Sequence, residues 1–396
     1  MKINSKRLMK RIKQIGAIGL TDNGANRVAF SREYFQGIEA LKEFMEHEGL
    51  EVRTDKVGNI FGRRKGKNEN LPVILIGSHM DTVKNGGIYD GSMGVAAALE
   101  CISVLSDNEI YTEHGIEVVG FNSEEGGELG GTFGSRAAMG NQSLEIPSID
   151  KKLSAYNLTK TDILDSKVDY DLKCYLELHI EQGIQLYNEG LRIGIAEGIV
   201  GITRYKIKIK GEANHAGTTP MRFRKDALVG ASKLIILINE IANTISDPFV
   251  ATVGNIENIP NSVNVIPGEV NLILEIREMD KNIINVFVES IREKADNIEG
   301  YEISFEIYND KESVYLNRNI AEITERICNN KGVSYKRMYS GAGHDAMEMA
   351  KRTPSGLIFI PSKDGISHSK EEYSLEDDIA NGSEVLLNLI LEMDKL

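Results

Sequence analysis

Cysteine is scarce. The 396 residues hold only Cys101, Cys174 and Cys328. The number is odd, the positions are scattered, and none forms a Cys-x-x-Cys pair. That excludes a disulfide framework and thiolate-ligated zinc, and fits a reducing cytoplasm. Long apolar runs are absent as well: no stretch approaches the ~18 residues that span a bilayer. The start of the chain is basic, with Lys2, Lys6, Arg7, Lys10, Arg11 and Lys13. It lacks the continuous apolar segment and cleavage site of a secretory signal. It reads as a first helix, with Leu8, Ile12, Ile15 and Ile18 or Leu20 at near-helical spacing. An amphipathic organelle-targeting segment is the other reading. Positive charge is in deficit, at a formal net −13. This argues against a nucleic-acid or anionic-membrane partner. It leaves room for a small anionic substrate, because one buried arginine dominates a pocket. No internal repeat or low-complexity segment is evident.

What is there is the composition of a globular protein, 41% hydrophobic and 27% charged. The length favours two domains. The pattern predicts helices over 32–47 and 91–105, and buried strands over 73–76 and 116–121. Near residues 194–203 the chain turns glycine-rich. Beyond it, Tyr205, Ile207 and Ile209 alternate with Lys206, Lys208 and Lys210, as in a strand with one wet face. Helices over 226–244 and 281–298 are expected. Further strands are expected over 249–256, 262–266, 269–277 and 302–308. This β-α-β-β-α-β order predicts a ferredoxin-like unit inserted in an α/β chain. A helix over 320–330 and a strand over 357–361 resume the first domain. The expected domains are 1–202 with 315–396, and 203–314.

Two patches rich in histidine and carboxylate stand about three hundred residues apart. One is Gly77-Ser78-His79-Met80-Asp81-Thr82-Val83 with Gly86-Gly87-Ile88-Tyr89-Asp90-Gly91. The other is Asp364-Gly365-Ile366-Ser367-His368-Ser369. Between them lie Glu124-Glu125 and Leu178-His179-Ile180-Glu181-Gln182-Gly183. Mixed histidine and carboxylate ligands suit zinc or a similar divalent ion. Asp81, two residues past His79, is placed to fix its tautomer. Each piece alone has a plainer reading: a solvated loop histidine, an exposed acidic turn, a satisfied core histidine in a strand. Together, four such groups at strand ends point to one site, at the edge where open α/β sheets build sites. Adjacent carboxylates point apart, so Glu125 would bind metal while Glu124 moves protons. His215 sits in a small-residue loop of the inserted unit. Asn264 and Arg277 are expected on neighbouring strands of that unit. Arg277 reads equally as a carboxylate clamp or as a surface partner of Glu275 or Glu278. Gly341-Ala342-Gly343-His344-Asp345 reads as an anion-binding turn or a plain helix cap.

These motifs resemble the dinuclear-metal amidohydrolases of the aminoacylase and carboxypeptidase-G type. Within these they look like the branch of N-carbamoyl-L-amino acid hydrolases, yeast-type β-ureidopropionases and allantoate amidohydrolases. Asn214-His215-Ala216-Gly217-Thr218-Thr219-Pro220-Met221 and Asn261-Ser262-Val263-Asn264-Val265-Ile266-Pro267-Gly268 carry the resemblance alongside the patches above. It implies a catalytic domain with a mixed sheet flanked by helices, plus an inserted lid and dimerisation domain. It implies two divalent ions per subunit, Zn²⁺ with Mn²⁺ or Co²⁺ as alternatives. His79, Asp90 and His179 would hold one ion; Asp90, Glu125 and His368 the other. Glu124 would be the general base and Asp81 the orienter of His79. Gln182, Asn264, Arg277 and the Gly343 backbone would contact substrate. His215 would steady the oxyanion in the other subunit of a cytoplasmic homodimer. The implied reaction is hydrolysis of a linear amide or ureide, foremost an N-carbamoyl-L-amino acid bearing a carboxylate. Allantoate or a related ureide comes second, and an aminoacylase or peptidase third. The branch usually follows its Glu-Glu-Gly with a basic and an aromatic residue; here Gly127-Glu128-Leu129 stands instead, which bears on the substrate.

Overall fold

Four apolar runs form the parallel heart of one sheet: Val73–His79, Ile116–Phe121, Leu172–Ile180 and Ser355–Ile360. Parallel strands are covered on both faces, so their sequences are mostly apolar rather than strictly alternating. Val73–His79 lies between Ile116–Phe121 and Leu172–Ile180, and Ser355–Ile360 pairs beyond the latter. Antiparallel strands Ile60–Arg64 and Glu51–Thr54 extend one side, and Ile193–Ile199 the other, making the sheet mixed. The computed structural model describes residues 1–146 and 148–396. It falls into two compact units: Met1–Glu197 with Tyr315–Leu396, and Gly198–Val314.

In the first unit, helix Ser92–Asp107 has 14 of its 16 residues buried. A helix apolar all round belongs inside a core. It packs against helices Ser5–Gly16 and Glu376–Lys395. The basic first helix is therefore a packed element. Arg7 and Arg11 both reach the buried Glu100, at 2.7 and 3.2 Å. It ends at Gly16, so Leu20 lies outside it and is 53% exposed. No helix among the described residues is long and apolar enough to cross a membrane.

The second unit has four antiparallel strands in the order Val250–Ile259, Glu269–Glu278, Gly201–Lys210, Glu302–Lys311. Helices Ala227–Ala242 and Lys281–Ala295 pack on it, which is the ferredoxin-like arrangement. Tyr205, Ile207 and Ile209 are buried while Lys206 and Lys210 are exposed. The strand expected over 262–266 is not part of this sheet. Only Val265–Ile266 is extended, and it pairs with Asn214–His215 in a separate arm. Pro260 and Pro267 bracket the segment, and each lacks an amide for a longer ladder. Asn264 thus lies in a turn beside the His215 arm, where Ala216 N–H donates to its carbonyl at 3.0 Å. It does not share a strand pair with Arg277.

Candidate metal and catalytic centre

All four parallel strands deliver residues to one place at their carboxyl ends. His79 ends its strand and His179 is next to last in its own, so both belong to strands rather than to the loops beyond. Glu124 and Glu125 follow Ile116–Phe121, and His368 follows Ser355–Ile360. Asp90 precedes the helix Ser92–Asp107. The chain leaves Val73–His79 for a neighbour on one side and later returns on the other. That is the topological switch point where open α/β sheets bind ligands.

The geometry brings the expected ligands together. Asp90 Oδ1 lies 3.4 Å from His79 Nε2 and 3.1 Å from His179 Nε2. The two Nε2 atoms are 3.4 Å apart. His368 Nε2 is 3.3 Å from Asp90 Oδ2 and 3.2 Å from Glu125 Oε2. Asp90 therefore faces two ligand groups, one with each oxygen. Gly91 makes room for this: at φ +65°, a Cβ there would lie 2.4 Å from the His79 ring.

The donor set fits a divalent cation. His79 Nδ1 faces the Asp81 carbonyl at 3.0 Å, and His179 Nδ1 faces the Ile180 carbonyl at 2.8 Å. As neutral rings, both donate from Nδ1 and turn the Nε2 lone pairs toward each other and toward Asp90. Asp90 Oδ1 and Glu125 Oε1 are buried and accept no hydrogen bond. Converging lone pairs with orphaned carboxylate oxygens require positive charge between them. Protons answer the same demand. Burial disfavours a charged His79 ring, but Asp90 and Glu124 outweigh it and hold its pKa well above the usual value. Hydrogen bonding to Asp90 and Glu125 lifts His368 to about 10. Burial pushes Asp90 up, yet His179, His368 and His79 together hold it well below the usual range.

Glu124 stands beside this cluster, its Oε2 3.9 Å from His79 Nε2. Burial, with Asp345, Glu125 and Asp81 nearby, raises its pKa well above the usual value against the pull of His79. Gly343 faces it: a Cβ there would sit 3.8 Å from Glu124 Oε1. Asp81 faces His79 as expected and has a second set of partners. Its carbonyl accepts the hydrogen bond of the His79 Nδ1–H at 3.0 Å, and its carboxylate lies 3.7 Å from the same nitrogen. Asp81 Oδ1 and Oδ2 accept the Glu124 and Glu125 amides at 3.0 and 3.2 Å. Gln182 Nε2 donates to Asp90 Oδ2 at 2.8 Å and lies 3.3 Å from His368 Nε2.

The residues of the second unit form their own groupings. His215 is exposed, and its Nδ1 accepts the Gly217 and Thr218 amides at 2.9 and 3.2 Å. In the neutral ring this puts the proton on Nε2, as a donor. Arg277 pairs with Glu275 at 2.7 Å, and Arg204 takes the other oxygen of the same carboxylate. The Gly341–Asp345 stretch is a turn into helix Asp345–Met349. The next amide, Ala346 N–H, donates to Glu177, which also accepts from Ser78.

Further residues surround the centre. Glu177, His179 and His344 also lie close enough to share an ion, but both Glu177 oxygens are already engaged. His344 stacks edge-on against His179 at 4.5 Å. Arg27 is fully buried and donates to the Met80 carbonyl between His79 and Asp81. Glu372 accepts from the Tyr89 and Asp90 amides. Within the run Ser369-Lys370-Glu371-Glu372 it reads as solvated charge; only its spacing of four from His368 hints otherwise.

Residues 75–392 match Peptidase family M20/M25/M40. The chain is 37% identical to an N-carbamoyl-L-amino-acid amidohydrolase of Pseudomonas sp. (strain NS671), over 98% of each chain. It is 34% identical to the allantoate amidohydrolase of Escherichia coli (strain K12), over 93% of each. A hydantoinase/carbamoylase family amidase of known structure from Burkholderia multivorans superposes with a TM-score of 0.90, at 32% identity. That match covers 99% of this chain and 98% of the other. The sheet-edge cluster of histidines and carboxylates, with the full-length similarity, places this chain in peptidase family M20/M25/M40, a family of metal-dependent hydrolases.

Proposed function

We propose that the protein hydrolyses an N-carbamoyl-L-amino acid, R–NH–CO–NH₂ + H₂O → R–NH₂ + CO₂ + NH₃. The observation that carries the reading is Glu124 standing 3.9 Å from a cluster that gathers His79, Asp90 and His179. The Pseudomonas relative's name supports the substrate class. His79, Asp90 and His179 would hold one divalent ion, and Asp90, Glu125 and His368 the second. Zinc suits these ligands, with Mn²⁺ or Co²⁺ as alternatives. Such ions supply Lewis acidity toward a carbonyl oxygen and a water of lowered pKa. Glu124 takes the proton of the attacking water and returns it to the leaving nitrogen. Asp81 fixes the backbone of Glu124 and Glu125. Gln182, Asn264, Arg277 and the Gly343 backbone contact substrate, with Arg277 on its carboxylate. Arg277 and Arg204 share the Glu275 carboxylate, which fixes the two guanidiniums side by side.

The protein acts as a cytoplasmic homodimer in this reading; its three cysteines, all free and buried, suit a reducing compartment. Residues 203–314 serve as lid and dimerisation domain, and 1–202 with 315–396 as the catalytic domain. His215 donates its Nε2 proton to the oxyanion of the partner's site. Removing such a donor costs ~10²–10³ in rate. Mixing His215→Ala with Glu124→Gln under subunit exchange then restores activity, since one site per heterodimer is whole. Verified heterodimers that stay inactive reject the shared site.

The direct test loads the protein with Zn²⁺ or Mn²⁺ and follows ammonia from N-carbamoyl amino acids, allantoate and N-acetyl amino acids. N-carbamoyl-L-amino acids are expected to turn over fastest. Preference for allantoate would favour the second reading, which the Escherichia coli relative supports. The stretch Gly127-Glu128-Leu129, in which Glu128 is exposed, is the one to exchange in that case. Glu124→Gln should bind metal normally and lose ~10²–10⁴ of kcat.

A further inference from the structure

His368 is the odd member of the ligand set. Its side chain is 49% exposed, and its backbone sits at φ +54°, in the left-handed region. Packing does not fix this ring as it fixes His79 and His179, which are 2% and 1% exposed. Something else must hold the loop, since a non-glycine residue there is strained. Glu372 is placed to do so. It is 5% exposed. Its Oε1 accepts the Tyr89 and Asp90 amides at 3.1 and 3.0 Å. Its Oε2 accepts the Ser367 hydroxyl at 2.8 Å. Ser367 Oγ is also 3.3 Å from Asp90 Oδ2. One carboxylate thus grips the backbone of one ligand and the immediate neighbour of another, across some 280 residues of chain. Gly87 clears the space for it: a Cβ there would lie 2.0 Å from Glu372 Oε1.

We propose that Glu372 is a positioning residue that clasps the Asp90 and His368 loops, setting the affinity of the ion shared by Asp90, Glu125 and His368. The proposal rests on the two-ion reading above. Groups that orient ligands in this way typically govern metal affinity by 10–100-fold. Because the clasp reaches both loops of one ion and only one residue of the other, its loss acts unequally on the two.

The test uses zinc-free full-length protein, titrated with Zn²⁺ against a chromophoric chelator, with circular dichroism to monitor folding. In Glu372→Ala, one of the two zinc equivalents should weaken by ~10–100-fold while the other stays near wild type. Glu372→Gln should bind close to wild type. Its amide oxygen keeps both backbone bonds, and Ser367 turns its hydroxyl to accept from Nε2. Both equivalents unchanged in a folded Glu372→Ala protein would overturn the clasp, as would equal weakening of both. If Glu372→Ala does not fold, Ser367→Ala cuts only the Oε2 arm and must weaken the same single equivalent. Wild-type titration of that variant would then reject the proposal. Fewer than two equivalents in the unaltered protein would sink the two-ion reading itself, a result separate from any variant.

Discussion

Arg27 is a whole cation shut away from water. Its Nε donates to the Met80 carbonyl at 2.6 Å and its Nη1 to the Ile15 carbonyl at 3.0 Å. Its own amide donates to Thr82 Oγ1, and the Thr82 amide donates back to its carbonyl. Burial lowers its pKa to about 10, with Asp81 pulling the other way. Removing one member of a buried charge arrangement strands the rest, at a cost of ~3–5 kcal/mol. Arg27→Met should therefore lower the urea midpoint of the metal-free protein markedly; an unchanged midpoint would mean Asp81 needs no counter-charge. The three thiols make a second residue-scale expectation. Burial pushes Cys174 up to about 12, Cys328 up to about 11 and Cys101 well above the usual value. Only thiolate reacts readily. At neutral pH the folded protein should consume almost no Ellman's reagent, and three equivalents once denatured. A fast-reacting thiol in the folded state would contradict this burial.

At the scale of elements, the start of helix Ser92–Asp107 is the sensitive place. Gly91 combines a left-handed backbone with contact against the His79 ring. Gly91→Ala should weaken metal binding by ~10-fold or more, with the far-ultraviolet circular dichroism unchanged. Normal zinc affinity would show that the ring can give way. The same element shows what a sequence reveals. The strands over 73–76 and 116–121 were legible because a strand covered on both faces is mostly apolar. His79, Asp90, Glu124 and His368 were legible because polar groups beside glycines at strand ends are costly without a purpose. Glu372 and Arg27 were not. Most of their partners are backbone groups, and a backbone partner leaves no residue type to recognise. Residues 262–266 were misassigned because alternation marks an extended chain without naming the strand it pairs with. Proximity in sequence pointed from Asp81 to His79, which its carbonyl and carboxylate face at 3.0 and 3.7 Å; the amides of Glu124 and Glu125, which its carboxylate also accepts, leave no residue type to recognise.

For the whole molecule, the two units carry separate cores, and every candidate ligand lies in the first. Calorimetry of the metal-free protein should resolve two transitions. Zinc at about 100 times its dissociation constant should stabilise only one of them, by ~2.7 kcal/mol per site, and a chelator should reverse it. A shift of both transitions together would show that the units unfold as one. The expressed segment 198–314 should retain a cooperative melt by itself; a molten segment would show that its core needs the rest of the chain.

The first unit is written in two pieces around the second, and this gives synthesis an order of events. Val73–His79 leaves the ribosome early, but Ser355–Ile360, which pairs with its neighbour Leu172–Ile180, and the ligand His368 come nearly three hundred residues later. At about 5–20 residues per second, the wait is roughly 15–60 s. During it, Leu172–Ile180 presents an unpaired edge and a hydrophobic face, the kind of surface that other chains pair with. The unit in the middle of the sequence is complete first. The nascent protein thus carries a finished insert and an unfinished host, and the ligand group Asp90, Glu125 and His368 is complete only when almost all of the chain has been made.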